Sequence, residues 1–459
     1  MKTENKVNKV KNTKQDKKVE KKDNILFKKI IIFSFVAILL IGFGVGLSIF
    51  NKSQKKLYSN EMLNLNNTKV QQNFEDLGYV ERNISKDYNN EGICERYPVY
   101  GKGLDNISDT EKDNLIAEAN KLFADEGNYD AIDQNGNYIL NGVATGKKLY
   151  KHTASKDMYE GNVSDTEKAI IRKVNVNPTI WRNYITGLYA APGELVKIEI
   201  SKSDLEKIGS LKVAVGQVTH KNTRNNIWKA DKNIFSRLPN IANTLNITST
   251  TAYVGNPLGG PIYIYPEKHD TFSVTISGAV EYPCYIHGYT TREEFERMKT
   301  LSAPYYDFEV WDKGVRHSGP KSRANFDYDN LVKVGDLWEK ICRTSSRVPT
   351  NSSAESGVGY IYDPFVAAGE AVAFVGGRIA VNAPLYWMSG ALDYNGMVKN
   401  GFWGTIHEFN HHFQNYGMEG ASTNEVTNNA TSLLSYALYT DISSARSEDD
   451  STLSGWNRY

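Results

Sequence analysis

The residues best equipped for chemistry are His407, Glu408 and His411, an H-E-x-x-H pattern inside Trp403–Asn429 (WGTIHEFNHHFQNYGMEGASTNEVTNN). On a helix, positions four apart lie on nearly one face, offset by about 40° and one turn of roughly 5–6 Å. Both imidazoles can then aim a nitrogen at one ion. Glu408, beside the first, can reach a water on that ion. Two neutral nitrogen ligands, a carboxylate base and an open coordination position are the parts of a zinc hydrolase. The chain has eight histidines in 459 residues, so chance produces this pattern in about one such chain in a hundred. The alternative reading is a pair of packed or exposed histidines with no metal.

A helix must position them, and the spacing supplies one. Ile406, Phe409, Phe413 and Tyr416 recur at three- and four-residue steps, a buried stripe beside the histidine face. Asn415 and Gly417 provide a stop. His412 lies about 100° off the ligand face and reads as a packing or rim residue. Catalytic zinc takes a third protein ligand. Glu419 falls in a loop after Gly417. Glu425 opens a second helical pattern, in which Val426, Ala430, Leu433, Leu434, Ala437 and Leu438 share an apolar face. A ligand on the first turn of a packed helix is held more rigidly, so Glu425 is preferred. Asn429, one turn further, can hydrogen-bond that carboxylate, and Gln414 is a second candidate for support behind the ligands.

The formal charge of +1 excludes the basic bias of a nucleic-acid protein. It hides an asymmetry. Residues 1–29 carry eleven lysines against four acidic residues and read as a disordered cytoplasmic arm. Ile30–Phe50 follows with twenty-one uncharged residues, about 31 Å as a helix and long enough to cross a bilayer core. Lysines before it place the remainder outside the cell. The reading is therefore a single-pass membrane protein. A cleaved signal peptide is the alternative, disfavoured by the lack of an A-x-A-like site after Phe50. Cys94, Cys284 and Cys342 form no C-x-x-C pair and read by default as buried free thiols, with one disulfide of unassigned pairing as the alternative in an exported chain.

Residues 51–180 read as a stalk and helical linker region. Ser108–Glu111 and Ser164–Glu167 both spell S-D-T-E, a capping-box signature that opens a helix at each. From about Tyr184, short β-rich runs separated by Gly and Pro turns predict a β-sandwich over 181–290. Val196, Ile198 and Ile200 alternate with Lys197 and Glu199, one dry face and one wet. Thr291–Lys299 and Tyr328–Cys342 read as helices, the second turning Leu331, Val334, Leu337, Trp338 and Ile341 inward. Ala371–Val381 is apolar and β-compatible. It is a candidate edge strand for aligning extended substrate by backbone pairing, with a purely structural strand as the alternative.

Thr186–Glu194 (TGLYAAPGE) and Asn256–Ile264 (NPLGGPIYI), with Trp403–His412 and Glu425–Asn429 (EVTNN), resemble the signature strings of the M60-like, enhancin-related metallopeptidases. The resemblance covers roughly residues 180–459. It implies a gluzincin-type catalytic domain behind a β-sandwich, with Zn2+ held by His407, His411 and Glu425, and Glu408 as general base. It also implies a substrate class, host glycoproteins and mucins in particular, with the O-glycan near the scissile bond required by some members. Asn410 departs from this pattern, since the family commonly has glycine before the second histidine. The chain also ends at Tyr459, about thirty residues after Glu425, where the family's catalytic domain continues.

The expected fold is thus α+β multidomain: a transmembrane helix at 30–50, a β-sandwich at 181–290, and a mainly helical metallopeptidase domain at 291–459, cut short at its C-terminus. The expected function is a membrane-anchored extracellular zinc endopeptidase. Its rival is a surface protein that binds glycan or glycoprotein through the sandwich, with an inert metal half.

Overall fold

The computed structural model describes residues 73–84, 88–89, 129–152, 159–176, 183–217, 227–230, 233–236, 242–266, 270–310, 314–346, 357–362, 371–374, 377–381, 390–414 and 424–441, with Ser108, Thr110 and Ser155 besides. All lie within one unit, Lys69–Tyr459. Most of their regular structure is strand, organised as two larger sheets, with the helix Lys202–Ile208 on the first and the other long helices with the second.

The first sheet has twelve strands. It is branched, with edges at Asn243–Ile247, at the fully exposed Val143–Lys148 and at Asn73–Val80. Phe272–Glu281 is the strand about which the sheet folds over. Its first part pairs with Ala169–Val176 and Val196–Ile200, and its last two residues pair with Leu188 and Tyr189. The change of partner comes at a bulge at Gly278, whose φ of +98° is a conformation that favours glycine. The two halves close on one apolar core that includes Val174, Ile198, Val213, Leu245, Ile264 and Ile276. Each such side chain contributes roughly 1.5–3 kcal/mol on full burial. Val196, Ile198 and Ile200 are buried and Lys197 and Glu199 partly exposed, the alternation their sequence predicts.

Strands upstream of Tyr184 extend this sheet. Asn73–Val80 pairs with Ala169–Val176, and Ala131–Ile132, Asn137–Leu140 and Val143–Lys148 continue the opposite end. The helix expected after Ser164–Glu167 is therefore a strand. Its burial alternates with period two. The Ser164 hydroxyl caps a turn by accepting from the Thr166 N–H, while a Glu167 carboxylate oxygen accepts from the Ser302 N–H 3.1 Å away. The matching helix expected after Ser108–Glu111 lies outside the described residues, Ser108 and Thr110 apart.

The second sheet has six strands, in the order Cys284–Ile286, Tyr305–Glu309, Val315–Pro320, Val358–Tyr362, Arg378–Val381, Ala371–Phe374, with mixed parallel and antiparallel pairing. It corrects the expectation of an α+β chain ending in a mainly helical domain, because this sheet is the centre of the C-terminal region. Tyr305–Glu309 and Val315–Pro320 are buried at every position. Strands covered on both faces lose the alternating signature that identifies them in sequence. The expected helices do form. Arg292–Met298 starts with a complete capping box between Thr291 and Glu294. Tyr328–Ser346 buries Leu331, Val334, Leu337, Trp338 and Ile341.

A layer of tyrosines joins the two sheets. Tyr263 and Tyr282 of the first donate to one carboxylate oxygen of the buried Asp307 in the second, at 2.8 and 2.5 Å, and the Ser318 hydroxyl donates to the other. Burial raises the Asp307 pKa above the ordinary carboxylate value, and neighbouring Arg316 acts against that. These donors answer a carboxylate that would otherwise be costly to bury. Cys284 and Cys342 are both buried; Cys94 lies outside the described residues.

The single-pass membrane localisation is also corrected. Among the described residues no helix is long and apolar enough to cross a membrane, and Ile30–Phe50, on which that expectation rested, lies outside them.

Candidate metal centre

The H-E-x-x-H residues form the helix Trp403–His411. Its inner face carries Ile406 and Phe409, both fully buried. Phe409 packs against Trp338 of the long helix at 5.5 Å between ring centroids and against Phe413 at 4.9 Å. Of the expected stripe, Tyr416 lies outside the described residues. The helix ends at His411, earlier than the Asn415–Gly417 stop. The N–H groups of His412 and Phe413 turn back to the carbonyls of Phe409 and Asn410. Two further contacts fix the helix from outside. The Tyr360 hydroxyl donates to the Thr405 carbonyl, and the Phe402 N–H donates to the Tyr436 hydroxyl. Burial, and after it the charge of Glu408, drive the Tyr360 pKa far up, so this phenol stays a donor.

His407, Glu408 and His411 come together as the sequence predicts. One ligand-type atom from each lies within 4.8 Å of the others. The two Nε2 atoms are 3.2 Å apart, with the rings almost perpendicular at 89°. Two nitrogens on one tetrahedral zinc at about 2.05 Å would be separated by about 3.3 Å, so the pair matches that bite. Behind each ring an amide oxygen accepts from Nδ1: Asn429 Oδ1 at 2.8 Å from His407, and Gln414 Oε1 at 2.7 Å from His411. An amide oxygen can only accept. Both Nδ1 atoms therefore carry hydrogen and both Nε2 atoms present lone pairs to the same point, the tautomer a metal ligand needs. The donor set fits a divalent ion of the zinc type.

Asn429 and Gln414 are thus the amides that meet the two rings, Asn429 at His407 and Gln414 at His411. Glu425 itself is on the first turn of Asn424–Tyr439, with its side chain outside the described residues; Glu419 lies wholly outside them. His412 is buried and does not belong to the His407–Glu408–His411 group.

Sequence reasoning missed two residues, one beside the imidazoles and one in the helix seam behind them. The Asn428 side-chain amide, fully buried, lies 3.2 Å from His407 Nε2 and 3.0 Å from His411 Nε2. Its position three residues after Glu425 is the signal that could have found it, since i and i+3 share a helical face. The other is Ser432, through Asn410. The Asn410 carboxamide turns into the seam between three helices. It accepts from Ser345 Oγ at 2.8 Å and donates to Ser432 Oγ and the Ile406 carbonyl, each at 3.0 Å. The side chain that stands where glycine is common therefore ties the motif helix to Tyr328–Ser346 and to Asn424–Tyr439.

Residues 278–459 match the family Peptidase M60, enhancin and enhancin-like, and residues 165–277 match the N-terminal domain of M60-like peptidases. Antigenic protein P1 of Entamoeba histolytica is 26% identical over 381 residues, 79% of this chain and 32% of that protein. The chain thus spans about a third of the length of this curated relative. Among solved structures, IMPa from Pseudomonas aeruginosa in complex with an O-glycopeptide aligns with a TM-score of 0.46 and 14% identity, over 72% of this chain and 38% of that one. The M60 catalytic domain of Clostridium perfringens ZmpC in complex with the sialyl T antigen aligns with a TM-score of 0.38 and 18% identity, over 57% and 53%. The family assignment rests on the two sequence matches, which between them run without a gap from residue 165 to residue 459: the chain belongs to the M60-like, enhancin-related metallopeptidase family.

Proposed function

We propose that this protein is a zinc-dependent endopeptidase acting on glycoproteins, mucins among them. The observation that carries the reading is the pair of Nε2 atoms 3.2 Å apart, each backed by an amide oxygen on Nδ1. Membership of the M60-like family supports a glycoprotein as the substrate class.

His407 and His411 would hold the ion, with Glu425 as the third protein ligand. Positions 425, 428 and 429 share one helical face, and Asn428 and Asn429 already meet the two histidines. Bound zinc supplies a polarised carbonyl and a more acidic water. Glu408, half-buried beside the histidines, takes the water's proton and passes it to the leaving amine. Ala371–Phe374 is the terminal strand of the second sheet, bonded only to Arg378–Val381 among the described strands. Its other edge is the proposed track on which an extended peptide pairs by backbone hydrogen bonds.

The test uses the full chain, purified and zinc-loaded, on a mucin-type glycoprotein with peptide products read by mass spectrometry. Zinc-dependent cleavage is expected. Glu408→Gln should keep its zinc and lose about 10²–10⁴-fold in rate. Glycoprotein binding without zinc-dependent cleavage, or a Glu408→Gln variant close to wild type, would overturn the reading.

A further inference from the structure

The Thr405 carbonyl lies inside the motif helix, where the N–H of Phe409 is its ordinary partner. It accepts a further bond from outside, from the Tyr360 hydroxyl. Tyr360 is fully buried on the strand Val358–Tyr362. Its ring is stacked on His317 at 4.4 Å and 3°, with Trp338 6.0 Å away. A phenol clamped in this way holds its hydroxyl at one point, and the carbonyl it meets is held there too.

Two geometric facts say what the bond steadies. The first is its side of the helix. At about 100° per residue, Thr405 stands about 160° from His407 and 120° from His411, but only about 60° from Glu408. Helical side chains also lean towards the N-terminus, so Glu408 extends over the turn that contains Thr405. After burial, the charge of Glu408 is what acts most on the Tyr360 hydroxyl. The second fact is its row in the sheet. Tyr360 is the register partner of Ile379, and Ile379 of Ala373. Residues in one row share a face, and two strand spacings put Ala373 about 9–10 Å from Tyr360. Ala373 is in the middle of the terminal strand Ala371–Phe374, the proposed substrate track.

Resting on the zinc-peptidase reading, we propose that Tyr360 is a positioning residue for Glu408, a bolt that registers the helix carrying the base against the sheet carrying the substrate. The imidazoles have their own supports in Asn429 and Gln414, and a bound ion moves with the rings that hold it. Loss of the bolt therefore leaves the metal in place. It displaces base and ion together relative to the scissile bond, and a displacement of about 1 Å can cost about 10²-fold in rate.

The experiment compares full-length, zinc-loaded wild type with Tyr360→Phe, Tyr360→4-aminophenylalanine and Tyr306→Phe on a mucin-type glycoprotein. It reads kcat and KM from peptide products and zinc affinity by competition titration. Tyr360→Phe keeps the stacked ring and should lower kcat about 10–100-fold, with KM and zinc affinity within about twofold. The amino variant restores an N–H donor and should return kcat to within about threefold of wild type. Tyr306 is the control: its hydroxyl is also buried, with no hydrogen-bond partner among the described residues, and its loss should leave kcat unchanged. Wild-type kcat in Tyr360→Phe, or zinc affinity lost along with kcat, overturns the inference and leaves the zinc reading standing. So does an amino variant that folds and binds zinc but has lost its kcat, whether or not Tyr360→Phe folds. Wild-type protein without zinc-dependent cleavage overturns the peptidase reading, and this inference with it.

Discussion

His317 and the His407–His411 pair are tied to the same two aromatic residues, Trp338 and Tyr360, the first directly and the second through its helix, and they are prepared for opposite fates. The His317 ring stacks on Tyr360 at 4.4 Å and 3° and lies 5.1 Å from Trp338. It is fully buried, and neither nitrogen has a partner among the described residues. Burial alone pulls its pKa down to about 3, so it is a neutral ring used for packing. Trp338 and Tyr360 also reach the motif helix, through Phe409 and the Thr405 carbonyl. There the histidines have amide oxygens on Nδ1. The difference teaches that burial fixes a histidine's charge, whereas an acceptor behind the ring fixes which nitrogen carries the lone pair and where it points.

The contrast can be broken most sharply at the ligand itself. His411→Ala leaves one imidazole and should abolish stoichiometric zinc, read by elemental analysis of the purified protein, and all zinc-dependent cleavage with it. A smaller effect is expected behind the rings. Gln414→Ala frees the His411 tautomer and should cost about 10–100-fold in metal affinity by competition titration, with the fold intact by circular dichroism.

On the His317 side the expected effect is on stability against pH. The folded-state pKa, about 3, is below the unfolded value of about 6.5. The unfolded chain therefore binds more protons between these values. Stability is complete above pH 6.5 and falls as pH drops towards 3. His317→Phe keeps a stacked ring and removes the proton site. Between pH 7 and pH 5, denaturant titrations should show the variant losing about 2 kcal/mol less than wild type. Equal losses would mean that His317 has a protonated form the core tolerates. The smallest effect belongs to the seam between the helices. Asn410→Gly removes the bonds to Ser345 and Ser432 and should lower stability by about 1–2 kcal/mol. A rise in the midpoint would show that glycine is the better fit.

Legibility differed by kind of contact. The H-E-x-x-H helix, its apolar stripe at Ile406 and Phe409, and the inward face of Tyr328–Ser346 could be read in advance, because all repeat with the 3.6-residue period of one element. The alternation of Val196–Ile200 was readable for the same reason with period two. The run after Ser164–Glu167 was not: a four-residue capping string outweighed the alternation in Ala169–Val176, and pairing with Phe272–Glu281 decided it. The six-stranded sheet was hidden because Tyr305–Glu309 and Val315–Pro320 are covered on both faces and carry no polar beat.

From the order of residues alone came the identity of the reactive groups and the faces on which they stand, since one turn of helix brings His407 and His411 together whatever surrounds it. Which amide meets which imidazole could not come from there. Asn429 behind His407, Asn428 between the two rings and Asn410 between Ser345 and Ser432 depend on the depth and rotation at which separate helices dock. That docking is set by packing across the core, and no local period encodes it.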